Sequence, residues 1–587
     1  MERLKYLGNA ANRVCIKIPF AGSFNSKSSV ILFLIISCSQ VIPNLLNAAG
    51  MVYWTPNGVL MSENSGVAGL VNDKAGGALA FGVYAESIIV IKIDRDGNLL
   101  WGLHGRAAAS YVGYQGPLVG VSDSCGGAIA IWCKNLPQKL FCQLVDSLGN
   151  RKWGIDAQCV TLSDSAQWWP VICSDGAKGV ITAWQENRDR THSWDIYAQR
   201  IDSSGVRQWG DYGIAVCNAD SSQESPKITC DNSGNSTVAW ADMRNNNAVY
   251  NVYSQRLTIS GSPVWQVNGI TICDTSNSQV PTNIDMVTDT TIIVVWNDQR
   301  HGFANRDVYA QDIKINGLTQ WIPQGIPICD TLNRQSSGQL VPDGQGGAIF
   351  CWVDERNGNR SIFAQRVNNF GLKLWGNQGN PICTADSCTS PCIVTDGESG
   401  AIICWQDRRV GNYDIYAQHV DSLGNILWDT NGMPVCTAVN NQQAPEMIAS
   451  DSGIAIITWD DYRSGSARGY AQKVGDVIIA IKEQLQDTGY RMQDIRLEIY
   501  PNPFTRLATI SFGIEHSAKG IELKIYDISG RMVRNFTDNL ELCVLNHVTN
   551  VIWDGKDENN KKLPSGVYFC ALKAGDYSKT KKIVFLK

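Results

Sequence analysis

The sequence predicts an all-β chain in which residues 50–476 form a closed ring of eight four-stranded units and residues 497–587 form a separate small sandwich. Three observations predict it. A unit of about 54 residues recurs between Met51 and Val474, and self-similarity at such a period marks a repeat architecture. Each unit carries four short strand signals separated by turn residues. Of the 19 tryptophans, 15 fall at two repeat positions, which ties their abundance to architecture.

The unit is clearest from Ser390 to Cys436: a short strand, Asp-Gly-x-x-Gly, an apolar strand ending in Trp, a polar turn, Ile-Tyr-Ala-Gln-x-Val-Asp, x-x-Gly-x-x-x-Trp, then Gly-x-x-Val-Cys. Ala401-Ile402-Ile403-Cys404-Trp405 is a continuous apolar run bounded by turns, as a strand buried on both faces requires. Asp343-Gly344-Gln345-Gly346-Gly347 and Asp396-Gly397-Glu398-Ser399-Gly400 place residues tolerant of positive φ at the first hairpin and lack the spaced carboxylates of a calcium loop. Trp54 lies in a segment like Leu427 to Gly432 but precedes the first unit, while the last unit ends without such a segment. Joining the two ends completes eight units and leaves no open sheet edge, which is the closure of a β-propeller. A seven-bladed ring is the alternative, because the first two units have drifted most.

Upstream, Arg13, Lys17 and Lys27 precede an apolar stretch from Val30 to Ile36 that continues weakly to Leu46, then Ala48, Ala49 and Gly50. That order predicts an export leader over 1–49. Ile35-Ile36-Ser37-Cys38 also resembles a lipoprotein cleavage box. The net charge of −5, with no long basic run, argues against nucleic acid as a partner. There are 19 cysteines. Cys159, Cys217, Cys273, Cys329, Cys383 and Cys436 recur at one repeat position, which fits a small buried side chain better than a disulfide framework. Cys217 with Cys230, and Cys159 with Cys173, are the pairs offered as bridges between neighbouring strands.

Two recurrent motifs carry the side chains of interest. The closing segment holds Trp101, Trp153, Trp209, Trp265, Trp321, Trp375 and Trp428, with Trp54 as the eighth. Asp146-x-x-Gly149-x-x-x-Trp153, Asp202-x-x-Gly205-x-x-x-Trp209 and Asp421-x-x-Gly424-x-x-x-Trp428 resemble the tryptophan-docking repeats of eight-bladed quinoprotein propellers. That resemblance implies indoles packed between adjacent blades. It does not extend to a quinone site, since no adjacent Cys pair is present, and no cofactor is predicted. The second motif is Trp-x-Asp/Glu-x-Arg: Glu186/Arg188, Asp242/Arg244, Asp298/Arg300, Asp354/Arg356, Asp407/Arg409 and Asp461/Arg463. Spacing of two sets acid and guanidinium on one side of an extended chain. Such pairs either hold a loop together or form a polar ligand face on the ring. Trp168 and Trp169 lie outside the repeat and join the candidate ligand-facing residues.

After a polar stretch over 477–496 the pattern changes to seven or so short strands in an immunoglobulin-like arrangement. Tyr500-Pro501-Asn502-Pro503-Phe504, Ala508-Thr509-Ile510-Ser511-Phe512, Leu523 to Arg531, Trp553-Asp554-Gly555-Lys556-Asp557 and Leu563 to Phe569 occur in order, ending Lys581 to Lys587. Together they resemble the type A C-terminal sorting domain of type IX secretion, which is similar to the Ig-like domain of flagellar hook-capping proteins. The resemblance implies export across the inner membrane, recognition of 497–587 by the outer-membrane secretion machinery, and release or surface anchoring. The other reading is an Ig-like domain kept for stability or adhesion.

No Gly-x-Ser-x-Gly, phosphate loop or His-Glu-x-x-His occurs, and the 6 histidines are scattered. The sequence therefore points to a secreted or surface-bound, monomeric, non-enzymatic propeller that binds a glycan or another surface protein. The alternative is a secreted carbohydrate-active enzyme with two carboxylates brought together by folding, which leaves no local motif.

Overall fold

The computed structural model describes residues 50–476 and 496–586, apart from 64, 111–113, 135–137, 189–192, 246–248, 501, 503, 514–520, 537–548, 559–560 and 575–576. The leader and the 477–495 connection lie outside the described residues. The chain divides into two compact units, Met1–Ile479 and Ala480–Lys587.

The first unit contains eight antiparallel sheets. Seven are built from consecutive strands, for example Gln223–Cys230, Ser236–Asp242, Asn251–Leu257 and Ile270–Cys273 in the fourth blade. The first strand of each sheet touches the first strand of the next, and Gln442–Asp451 of the last sheet touches Val67–Asn72 of the first, so the first strands enclose the axis. The last sheet is finished by the beginning of the described chain. Gly50–Val52 and Val59–Ser62 both pair antiparallel with Arg468–Asp476. The ring therefore has eight blades, and the displaced fourth strand closes the eighth.

The hydrophobic core is distributed between the blades. Ile181, Ala183, Ile196, Ala198 and Trp209 of the third blade pack with Val238, Trp240 and Tyr253 of the fourth. At the closure, Trp54 and Met61 join Ala78, Ile89 and Ile91 of the first blade and Ile456 and Ala471 of the eighth. Four of the second strands, Val180–Glu186, Ser236–Asp242, Ala348–Asp354 and Ala401–Asp407, are buried at every residue because each face meets a neighbouring blade.

A glutamine buried in the third strand anchors seven of the eight docking tryptophans. Gln199 Oε1 accepts the backbone N–H of Trp209 at 2.9 Å, and its Nε2 donates to the carbonyl of Gly210 at 2.7 Å. Gln143, Gln255, Gln311, Gln365, Gln418 and Gln472 repeat both bonds for Trp153, Trp265, Trp321, Trp375, Trp428 and Trp54. The indole N–H then reaches the next blade: Trp153 to Ser203 O, Trp209 to Ile259 O, Trp265 to Ile315 O, Trp321 to Asn369 O, Trp375 to Ser422 O, Trp428 to the Asp476 carboxylate and Trp54 to Arg95 O. Trp101 is the exception. Ile91 stands ten residues before it, where six of the others have glutamine and Trp54 takes Gln472 of the last blade, so its segment lacks this anchor, and its indole is only half-buried with Lys92 over the ring.

The second unit is a sandwich of a three-stranded and a four-stranded sheet. The smaller orders Arg496–Tyr500, Ala508–Gly513 and Thr549–Trp553, and the larger Met532–Asn535, Ile521–Asp527, Gly566–Ala574 and Tyr577–Phe585. Trp553, Phe504 and Phe585 form an aromatic cluster in its core, and the Trp553 indole donates to Lys556 O at 3.0 Å. Gly555, at φ +73°, sits against Phe585, where a Cβ would lie 2.6 Å from the ring. The Trp-Asp-Gly motif is thus a packing device between the two sheets.

Candidate functional site

The recurrent acids are buried inside the blades and their arginines are half-buried. Asp242 is fully buried. Its Oδ2 accepts the Trp240 indole N–H at 2.7 Å and Arg244 Nη2 at 2.6 Å, and its Oδ1 accepts the backbone and Nε of Arg244. The guanidinium stacks on Tyr253, 4.0 Å from the ring centre, and donates to Asn268 O at 2.8 Å. Asp298/Arg300, Asp354/Arg356, Asp407/Arg409 and Asp461/Arg463 repeat this arrangement over Tyr309, Phe363, Tyr416 and Tyr470. Glu186/Arg188 does the same with the longer acid over Tyr197. The ten aspartates and arginines offered as a ligand face are thus paired within their blades, the aspartates buried and the arginines half-buried. Spacing of two does put acid and arginine together, but the acid is buried within the blade and the arginine reaches only partly to solvent.

The offered disulfides are corrected. Cys173 is bonded to Cys230, joining the first strands of the third and fourth blades, while Cys159 and Cys217 are free. The Cys217 side chain, in the outer strand of the third blade, faces the fourth blade, where Arg244 Nη2 contacts it.

The residues that face open space lie around the axis. A cavity of about 340 Å³ is lined by first-strand residues of the first, second, third, fourth, fifth and eighth blades, among them Gly69, Leu118, Pro170, Lys227, Asn283 and Glu446. A β-bulge at the start of these strands re-aims the chain toward it. In the third blade the bulge falls between Trp168 and Val171, and Trp169 adopts φ +52°. The equivalent residues Ser225, Ser337, Ser390 and Ala444 are also left-handed. Trp169 is the large side chain of that set, and its indole is 59 % exposed immediately before the cavity-lining Pro170. Trp168 is half-buried.

Two residues beyond the bulge comes a position opposite the residue before the second-strand tryptophan, occupied by Val171, Lys227, Asn283, Gln339, Cys392 and Glu446. Asn283 Nδ2 donates to Gln339 Oε1 at 2.9 Å across the blade boundary. Lys227 is half-buried with no hydrogen bond or ion pair among the described residues, and burial alone pulls its ammonium below the ordinary value. Glu446 is half-buried, and burial pushes its carboxyl up, reinforced by Asp460 and opposed by the Gly69 N–H. Two residues after Asn283, Asp285 accepts the Thr229 hydroxyl at 3.3 Å and is pushed up to about 6 by burial. Among the described residues the cavity lining holds one ammonium and one carboxyl, on the fourth and eighth blades. This set was missed in the sequence, although a signal existed: polar residues vary at one position of a strand whose flanking framework repeats.

Residues 498–586 match the family described as secretion system C-terminal sorting domain. The chain is therefore exported, to the cell surface or beyond it. No curated protein matches the chain. Similar solved structures include an ulvan lyase of a new polysaccharide lyase family, at 9 % identity and TM-score 0.41, covering 64 % of this chain and 97 % of that one. PorZ, a surface component of the type IX secretion system of Porphyromonas gingivalis, aligns at 10 % identity and TM-score 0.20 over 93 % of this chain and 88 % of that one. An endo-arabinase from Bacteroides thetaiotaomicron aligns at 15 % identity and TM-score 0.24 over 42 % and 92 %. Likeness at these scores says nothing about activity.

Proposed function

We propose that this exported propeller is a non-enzymatic binding module for an acidic glycan, engaged at the axial cavity. The observation that carries the proposal is Lys227, an unpaired ammonium lining that cavity. An unpaired, half-buried cation is costly to desolvate further unless something of opposite charge or high polarity meets it. Trp169 offers an exposed indole face in the neighbouring blade, and indoles stack on the apolar faces of sugars. Asn283 and Gln339 add amide groups suited to hydroxyls. A sugar polymer bearing carboxylate or sulfate groups is the ligand class that uses all three chemistries.

One observation favours a second reading, an enzyme acting on the same polymer. Glu446 is a carboxyl whose affinity for its proton is raised by burial, as a general acid requires. A paired-carboxyl hydrolase needs a second acid in the same lining. The described lining contains Glu446 alone.

The test is glycan-array binding by the full secreted chain, followed by product analysis on each sugar bound. Saturable binding of acidic glycans without product, lost in Lys227→Ala and weakened about tenfold or more in Trp169→Ala, is the expected result. Cleavage that disappears in Glu446→Gln would replace the binding module with the enzyme.

A further inference from the structure

The seventh blade departs from the repeat at one buried point. The outer-strand cysteines Cys217, Cys273, Cys329 and Cys436 of the third, fourth, fifth and seventh blades are followed six residues later by Gln223, Gln279, Gln335 and Gln442, at the entry to the fourth, fifth, sixth and eighth. Each glutamine opens the next first strand, and its Nε2 ties down the connecting loop, as Gln223 does by donating to Ala219, Asp220 and Ser221 carbonyls. Between Cys383 and the next first strand the loop is one residue shorter, and the glutamine is replaced by Cys388. The backbone there is unchanged: Cys388 N donates to Arg360 O just as Gln335 N donates to Arg306 O.

The replacement brings two thiols together. Cys388 Sγ lies 3.4 Å from Cys383 Sγ, and both residues are buried. Arg409 Nη2 is 3.3 Å from Cys383 Sγ. We propose that Cys383 and Cys388 are a disulfide-forming pair, closed in the exported protein to fasten the loop that glutamine fastens in other blades.

The comparison among blades supports a reactive role for Cys383. Burial pushes the thiols of Cys217, Cys273, Cys329 and Cys436 up, although each also faces an arginine. The Cys383 thiol instead lies below the ordinary value, because the Cys388 S–H bonds to it and outweighs burial, with Arg409 adding to the effect. Cys388 is pushed up correspondingly.

The oxidant is a disulfide-bearing molecule or oxidoreductase of the export compartment. The Cys383 thiolate attacks one of its sulfurs, expelling the other as a thiolate and leaving a mixed disulfide on Cys383. Cys388 loses its proton and attacks Cys383 Sγ, forming the Cys383–Cys388 bond and releasing the second thiolate. Two protein thiols and one disulfide become one protein disulfide and two thiols.

Asp407 completes a cluster that has the composition of a soft-metal site. Its Oδ2 is already engaged by the Trp405 indole and by Arg409 at 2.6 Å, and the guanidinium opposes a second cation there. Disulfide formation is therefore favoured over metal binding.

The experiment is peptide mapping of the full chain, treated with diamide until Cys173–Cys230 is closed, then acid-quenched and alkylated in denaturant without reductant. The expected product is a linked Cys383–Cys388 peptide lighter by two hydrogens, absent from Cys388→Ser. Alkylation of both cysteines while Cys173–Cys230 is closed would overturn the proposal. So would a link from either one to Cys392 or Cys404, or stoichiometric zinc released from the untreated chain on alkylation.

Discussion

The indole N–H of Trp209 donates to the carbonyl of Ile259 at 3.1 Å, across the boundary between the third and fourth blades. The ring lies directly beneath Gly261, where a Cβ would come within 3.0 Å of three of its atoms. Gly205, Gly317, Gly371, Gly424 and Gly97 stand in the same relation to Trp153, Trp265, Trp321, Trp375 and Trp54. The Gly and the Trp of the repeat are therefore partners in adjacent blades.

Gly261→Ala should lower the melting temperature well beyond Gly302→Ala. Both glycines have positive φ, a strain of about 1–3 kcal/mol for a side chain, but nothing lies within 4 Å of a Cβ at Gly302. Thermal unfolding of the two variants isolates the packing contribution. Equal shifts would mean that the tryptophan moves aside freely.

Asp298→Ala should destabilise the protein by about 2–4 kcal/mol, because it leaves the half-buried Arg300 guanidinium without its carboxylate and removes the acceptor of the buried Trp296 indole. Denaturant unfolding measures this. If the framework role is correct, ligand binding by the folded fraction will be unchanged.

His419 and Asp312 occupy one repeat position and should respond to pH differently. Burial disfavours the charged His419 ring, yet hydrogen bonds to Asp396 at 3.1 Å and Asp476 at 3.2 Å push it up to about 9. A raised histidine contributes its stability fully below its unfolded value near 6.5 and loses it as pH climbs through 9. His419→Gln should therefore cost stability at pH 6 and far less at pH 10. Asp312 is buried with no cation paired to it, and burial pushes it up to about 7, opposed by Lys314. Its contribution is retained below the unfolded value near 3.9 and lost as pH rises through 7. Asp312→Asn should leave stability near that of the parent at pH 4 and increase it at pH 8. Melting curves across pH 4–10 check both.

Trp54→Ala should cost about 3–5 kcal/mol, as removal of a buried indole does. Trp54 belongs to the core between the eighth and first blades, and its N–H ties the closing segment to Arg95. Deleting residues 51–61 should lower the melting temperature further, since it also removes pairing to Arg468–Asp476. An unaltered transition would show that closure adds no stability.

Much of this architecture was legible because each unit states it again. The ring closure followed from Trp54 lacking a unit of its own, and the docking role from the regular Gly-x-x-x-Trp spacing. Which side of the strand meets water was not legible. Asp242 and Arg244 were correctly placed together, but period-two spacing does not say whether their shared side is surface or interior. Lys227 and Glu446 were hidden for the opposite reason. Neither belongs to a motif, and they share a cavity only because the ring brings the fourth and eighth blades around one axis. The pairing of Cys173 with Cys230 likewise depends on adjacent first strands, a relation between blades that the spacing within one blade does not contain.

Removing residues 497–587 should separate folding from export. The sorting-domain match spans 498–586, and that segment has its own core around Trp553 and Phe585. The ring has its own cores between adjacent blades and closes by pairing residues near 50–62 with 468–476, all within the first unit. The truncated chain should fold, retain its Cys173–Cys230 bond and accumulate in the periplasm, while the full chain reaches the surface or the medium. Fractionation with a periplasmic marker, together with a melting curve of the retained protein, measures both halves of this expectation. Release of a folded truncation at the full-length rate would remove the sorting role from this segment. Loss of the protein to proteolysis would instead point to a stabilising role for the sandwich, and Trp553→Ala in the full chain distinguishes the two by disturbing the sandwich core without shortening the chain.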